Sequence, residues 1–281
     1  MHYNAIILSV VTFVYGLAAV LYVFAWVFRK ETPGRLATWV TLTACIGNAV
    51  GLALRWYESY QIGSGYGHAP LSNIYESLTF FALTLGVIYL LVEKRYRNRV
   101  IGAFALPLAF FALAYASFGT SDKIQPLIPA LKSNWLIAHV ISCFIGYAAF
   151  GVAFGVSIMY LLKSGGEKSG GILGRMPDSG VLDELTHQLI MFGFLFLTVG
   201  IITGAVWANS AWGRYWGWDP KETWSFITWL IYAALLHFRM MRGWRGKRIA
   251  VLSIIGFAAV LFTYFGVNLL PGLHSYGALK G

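Results

Sequence analysis

Acidic residues and cysteines are scarce in this 281-residue chain, which has 11 Asp and Glu against 21 Lys and Arg, and two Cys. Charged residues make up 11% and hydrophobic residues 58%, with a mean hydropathy of +0.66. That balance excludes an ordinary soluble globule and indicates a membrane protein. Neither Cys45 nor Cys143 belongs to a Cys-x-x-Cys pair, which disfavours a thiol–disulfide oxidoreductase. Both lie in apolar runs and read as small buried hydrophobes. The first apolar run does not look like a good cleavable signal, since no basic residue precedes it and Arg29 and Lys30 follow it, and it is expected to be a retained helix. The chain has no soluble domain and no convincing internal repeat.

What is present is a series of eight apolar runs, at 4–28, 36–57, 74–92, 100–118, 135–162, 185–206, 224–238 and 249–269. A bilayer core of about 30 Å needs about 20 helical residues. Unbroken runs of this length choose helices over barrels. The expected fold is therefore all-α, a single polytopic membrane domain over 1–281 with about eight transmembrane helices. The seventh run looks short, and the fifth long enough to tilt or project.

The net charge of +10 does not indicate nucleic acid, because its distribution follows the membrane. Fifteen of the 21 basic residues fall in alternate connections, from Arg29 and Arg35 after the first run to Arg245 and Arg248 after the seventh. The positive-inside rule then puts both termini outside, together with the connection between the sixth and seventh runs. The inner connection 163–183 is rich in Gly and Ser and reads as a flexible tether. Small-xxx-small spacings at Gly47/Gly51, Gly151/Gly155 and Gly200/Gly204 permit close helix contact. In a chain with 31 Gly they are equally compatible with chance.

Trp207, Trp212, Trp216, Trp218 and Trp224 place five of the 11 Trp inside residues 207–224. Indoles with intervening Gly213 and Gly217 suit a broad, flat aromatic ligand with polar edges. An aromatic belt at the headgroups is the alternative, although belts need fewer Trp per helix end. Asp219-Pro220-Lys221-Glu222 has an N-cap Asp, a Pro at the first helical position and a Glu three residues after the cap. It starts the seventh helix directly from the Trp-rich segment. Asn73-Ile-Tyr-Glu76 follows the same logic at the third helix, where Glu76 reads as a cap.

His139 lies near the outer end of the fifth run, and His274 follows the eighth, also outside. Two imidazoles and the aromatic segment therefore share one level, which suits axial ligation of a haem iron. Two unrelated interfacial His are the alternative. His237 lies about 22 Å below Glu222 along a helix, toward the inner leaflet. There it is either a second haem ligand or an interfacial His beside Arg239. His187 lies toward the same side. His68 falls in an outer connection and is expected to be solvated.

The run Trp212-Gly-Arg-Tyr-Trp216-Gly-Trp218-Asp219-Pro-Lys-Glu222-Thr-Trp224 resembles the WWD signature of haem-handling membrane proteins. Within them it looks like the CcsA or ResC type subunit of system II cytochrome c biogenesis. The likeness continues in Gly200-Ile-Ile-Thr-Gly204-Ala-Val-Trp207, Leu236-His237-Phe-Arg239, Leu273-His274-Ser-Tyr276 and Pro70-Leu-Ser-Asn73-Ile-Tyr75-Glu76-Ser77. The resemblance implies that His139 and His274 ligate haem b beside the Trp-rich loop. It implies that His237 belongs to an inner haem site whose mate comes from a partner of the CcsB or ResB type. It further implies delivery of haem to the Cys-x-x-Cys-His segment of apocytochrome c, within a holocytochrome c synthase in a bacterial plasma or thylakoid membrane. On this reading the five indoles stack on the porphyrin, and Arg214 and Lys221 pair with its propionates. Asp219 and Glu222 shape the loop, and no residue stands out as a general acid or base. A haem exporter without ligating activity and a b-type electron-transfer protein are the rival functions, with a permease more distant.

Overall fold

The computed structural model describes residues 3–63, 65–165, 171–270 and 272. Among them there are eight α-helices and no strand. The helices are α1 (Tyr3–Phe28), α2 (Glu31–Ile62), α3 (Ile74–Tyr96), α4 (Gly102–Gly119), α5 (Asn134–Gly165), α6 (Ser179–Trp212), α7 (Pro220–Arg242) and α8 (Lys247–Tyr264). Seven helical stretches are long and apolar enough to cross a membrane. The exception is α7, which reaches 23 residues because its capped first turn adds Pro220–Thr223 and its last turn adds Arg239–Arg242. The chain falls into two compact units. One comprises residues 1–132 and 162–178, the other 133–161 and 179–281.

In the first unit α1 packs against α2 and α4, and α3 packs against α2 and α4. Small residues set the spacing. A Cβ at Gly51 would lie 2.5 Å from Leu8 Cδ2, and one at Gly47 would lie 2.9 Å from Val11 Cγ2. The first of the three small-residue spacings is thus a packing groove for α1.

Two polar clusters sit inside this apolar frame. At one end of α3, the buried Glu93 carboxylate accepts from Tyr22 and Tyr89, each at 2.7 Å, from Thr38 at 2.5 Å and from Arg99 Nε at 3.2 Å. At the other end, Arg55 is 1% exposed, and its Nε donates to Glu76 at 2.8 Å. Its remaining nitrogens donate to Asn4 and to the carbonyls of Asp122 and Lys123. Asn73 caps α3 by accepting from Glu76 N, while Glu76 accepts from the Ser72 backbone and hydroxyl, as a helix-start pair should.

His68 belongs to this second cluster, which corrects the expectation of a solvated residue. It is 7% exposed, with Nδ1 bonded to the Tyr66 carbonyl at 2.6 Å and Nε2 to Ser72 Oγ at 3.0 Å. The buried Arg55–Glu76 pair draws the connection inward, and Ser59 Oγ donates to the His68 carbonyl. Burial works against a charged imidazole here. The Glu76 carboxylate and the Tyr66 carbonyl outweigh both burial and Arg55, so the His68 pKa is raised above its ordinary value.

The second unit is built from α5 as far as Leu161, α6, α7 and α8. Gly146 of α5 and Gly193 of α6 meet with no room for a side chain, a Cβ at Gly146 lying 2.9 Å from the Gly193 carbonyl oxygen. Tyr232 of α7 stacks on Phe150 of α5 with ring centroids 3.6 Å apart. Thr228 and Thr263 share a hydrogen bond of 2.9 Å between α7 and α8. Trp229 Nε1 donates to Thr198 Oγ1 at 2.9 Å, and Arg239 pairs with Asp183 at 2.8 Å, tying the middle and the last turn of α7 to α6. Cys45 and Cys143 are both buried and unpaired with each other, as small core residues.

Candidate functional site

The Trp-rich segment is the joint between α6 and α7. Trp207 and Trp212 lie in the last turns of α6, residues 213–219 form the connection, and Trp224 lies in the first turns of α7. The joint is stiff because its backbone is satisfied locally. Asp219 Oδ1 accepts from Lys221 N at 2.9 Å, and Glu222 Oε2 accepts from Asp219 N at 3.2 Å and Gly217 N at 2.7 Å. This is the capping box read from the sequence, extended by one bond into the loop. Gly213 takes φ 73°, where a side chain would be strained. The Arg214 guanidinium folds across its own loop, and a Cβ at Gly217 would lie 2.6 Å from its Nε.

The aromatic rings form two tiers. The exposed tier is Tyr215 and Trp218, at 60% and 69% exposure. Trp218 holds φ 56°, a left-handed conformation rare for a bulky residue. Its ring meets Trp216 edge-on at 5.7 Å, and Trp216 meets Phe226, which in turn stacks on Trp229. Trp216 Nε1 is buried and has no hydrogen-bond partner among the described residues. The second tier is Trp207, only 2% exposed, packed edge-on to Trp212 at 4.8 Å. Trp207 is therefore buried, unlike Trp218 and Tyr215. Trp224 packs on Phe262 of α8, with centroids 4.2 Å apart.

His139 is seated against this second tier. Its ring lies nearly parallel to Trp207, 13° between planes and 6.1 Å between centroids. Its Nδ1 is 2.7 Å from the Gly200 carbonyl oxygen. A carbonyl only accepts, so Nδ1 carries the proton and Nε2 keeps its lone pair. Nε2 makes no hydrogen bond to the described residues. That is the arrangement of a ligating imidazole held by a carbonyl behind it. Gly204 makes the seat possible, since a Cβ there would lie 2.6 Å from His139 Nδ1.

His274 lies outside the described residues. Gly272, two residues earlier, is described and sits against the start of α7, where a Cβ would be 2.5 Å from Asp219 Oδ2 and 3.1 Å from Pro220 Cδ. His237 is exposed on α7, two residues from the Arg239 pair with Asp183 and Glu184. His187 Nδ1, on the turn of α6 that carries those carboxylates, is buried without a partner among the described residues. Reading the sequence alone missed the seat for His139, although Gly200 and Gly204 stood out as one of three small-residue spacings. It also missed Phe226, which an aromatic count confined to Trp passes over.

Residues 71–274 match the cytochrome C assembly protein family. Among similar proteins, the cytochrome c biogenesis protein CcsA of Synechococcus sp. (strain CC9311) is 42% identical, covering 91% of this chain and 92% of that protein. CcsA of Parasynechococcus marenigrum (strain WH8102) is 44% identical, covering 82% of each. CcsA of Pyropia yezoensis is 39% identical, covering 96% and 97%. Among solved structures, a cytochrome c heme lyase CcmF has the same fold over 95% of this chain, with a TM-score of 0.69 at 17% identity. This chain spans about half the length of that structure, 49%. The family match and relatives this similar along nearly their whole length place the chain: it belongs to the cytochrome C assembly protein family as a CcsA-type subunit, an integral membrane protein with a role in cytochrome c maturation.

Proposed function

We propose that the chain binds haem b beside the α6–α7 joint and presents it to apocytochrome c for thioether attachment. The observation that carries this reading is the seat of His139. An imidazole buttressed through Nδ1 by a backbone carbonyl, with Nε2 free beside an aromatic segment, is prepared to hold an iron. His274 is the proposed second axial ligand, and the contact of Gly272 with Asp219 and Pro220 supports it. The exposed Trp218 and the half-buried Trp216, Trp212 and Trp224 supply the stacking surface. Trp207 braces the His139 ring from behind. Arg214 and Lys221 are the cations for the propionates, and the unpartnered Trp216 Nε1 is a further donor to a polar ligand edge.

The chemistry asked of the protein is positioning. Each cysteine sulfur of the apocytochrome bonds to one carbon of a vinyl group while the thiol proton goes to the other, so no electrons are exchanged. Holding thiol and vinyl in contact geometry supplies the acceleration. His237 is the proposed ligand of an inner haem, with its mate on a CcsB-type partner. The Trp-rich joint is proposed to face away from the cytoplasm, on the distribution of basic residues.

The test is holocytochrome formation by the complex of this chain with its CcsB-type partner, compared with the His139→Ala, His274→Ala double variant. Loss of product together with loss of the haem absorption of the outer site is expected. Product formed by the partner without this chain would favour the exporter reading instead.

A further inference from the structure

A second site lies in the first unit, at the end where α1 runs into α2 and α3 into α4. A cleft of about 390 Å³ opens there, lined by Trp26, Arg29, Lys30, Arg97, Arg99 and Arg175. These cations come from three separate connections of the chain. The positive-inside rule explains basic residues in such connections. It does not explain their convergence on one recess, nor how they are held.

Three features show that the recess is built. Among the described residues, only three other than glycine have positive φ: Trp218 in the Trp-rich joint, and Arg29 at 57° and Arg97 at 51° in this cleft. Arg97 ends α3 in a left-handed cap, donating its N–H to the Glu93 carbonyl, where glycine is the usual residue. Two helix ends thus keep an arginine where glycine would relieve strain, and backbone strain of this kind gathers at binding sites. Arg175 is drawn in from the connection after α5, donating Nη1 to the carbonyls of Trp26 and Val27 at the end of α1, and its buried Nε has no partner among the described residues. Trp26 Nε1 returns a bond to the Ile172 carbonyl at 3.0 Å. Gly34 makes room for Arg99, since a Cβ there would lie 3.0 Å from Arg99 Cδ.

The charge is left uncompensated. Arg99 gives only Nε to Glu93 and Thr38, and Arg29, Lys30 and Arg97 make no side-chain bond to the described residues. The one acid on the rim, Glu31, is engaged by Arg35 at 3.0 Å. Guanidinium forks around a recess of this size match the oxygens of a phosphate group. Basic pockets between helices at the cytoplasmic surface suit anionic headgroups.

We infer that this cleft is a phosphate-binding site, filled either by the headgroup of an anionic phospholipid or by a soluble phosphate. Its place on the cytoplasmic surface rests on the orientation proposed above. The inference itself rests only on the first unit, so its failure would leave the haem reading untouched.

The test is native mass spectrometry of the full chain in detergent, with phosphatidylglycerol, phosphatidylcholine or inorganic phosphate as the added ligand. The variant Arg29→Gly, Arg97→Gly removes two cations while relieving both strained positions, so it should fold at least as well as the wild type. Arg29→Asn, Arg97→Asn is the second version, since Asn also tolerates left-handed backbone. Wild type should retain phosphatidylglycerol over phosphatidylcholine, and both variants should retain roughly tenfold less. The variant Lys94→Gln, Arg95→Gln removes the same charge outside the cleft and should bind as wild type. Displacement by millimolar inorganic phosphate would assign the soluble source, and its failure to displace would assign the lipid. Equal loss in the control variant, unchanged binding in both cleft variants, or no phosphate ligand retained by wild type would overturn the inference.

Discussion

The polar cluster around Arg55 and the Trp-rich joint around His139 are both rich in hydrogen-bonding side chains, and they handle them in opposite ways. Around Arg55 all three guanidinium nitrogens, both Glu76 oxygens and both His68 nitrogens have partners. At the joint the backbone is satisfied, but among the described residues the buried Trp216 Nε1 has no partner and His139 Nε2 makes no bond. A cluster that satisfies every group is a structural element. A stiff frame that leaves a donor and a lone pair open, beside a Trp held in a left-handed conformation, has the character of a binding site.

The sharpest way to break this contrast is at Arg55. Arg55→Met takes the guanidinium from the buried Glu76 carboxylate and leaves it only Ser72 and His68, which should cost about 3 kcal/mol and show as a large fall in thermal stability. Arg55→Met with Glu76→Leu should recover much of that loss. A single variant as stable as wild type would show that the cluster is not structural.

Next in size is the seat of His139. Gly204→Ala puts a methyl group 2.6 Å from His139 Nδ1, so the ring must shift and its bond to Gly200 is lost. Haem affinity should fall about 10–100-fold, the usual effect of losing the group behind a ligand. Unchanged haem titration would mean that the seat does not position the ligand. Asp219→Ala removes the cap of α7 and should destabilise the protein by about 1 kcal/mol, read by thermal unfolding. Because the same cap holds the loop, it should also broaden the haem spectrum.

The smallest effect is a pH dependence. The raised pKa of His68 means that the charged imidazole stabilises the folded state. That stabilisation is complete below the unfolded pKa of about 6.5 and is lost as pH rises through the higher folded value. His68→Gln should flatten the decline of thermal stability across this window. An unchanged profile in the variant would place the titration elsewhere.

Much of this was legible in the sequence, because membrane helices are written in long runs and caps in local patterns. The eight helices, the capping box at Asp219 and Glu222, the cap at Asn73 and the burial of both Cys all follow from spacing within a few residues. What escaped depends on contacts distant in sequence. His68 is sealed by partners of Arg55, which reaches 51 residues back to Asn4 and 67 forward to Asp122. Trp207 reads like its neighbours in the Trp run, yet it is buried, because α6 turns that face toward His139, 68 positions earlier in the chain. The Gly200 and Gly204 spacing was visible, but its purpose was not, since nothing local says that the space is kept for an imidazole.

The central claim is that His139 and His274 hold one haem beside the Trp-rich joint. It is tested most directly by the visible spectrum of the purified complex carrying His139→Gly, His274→Gly or both, recorded with and without added imidazole. The account predicts that each single variant loses the low-spin signal of the outer haem and that imidazole, entering the vacated position, restores it. An outer-haem spectrum that persists unchanged in the double variant would contradict it.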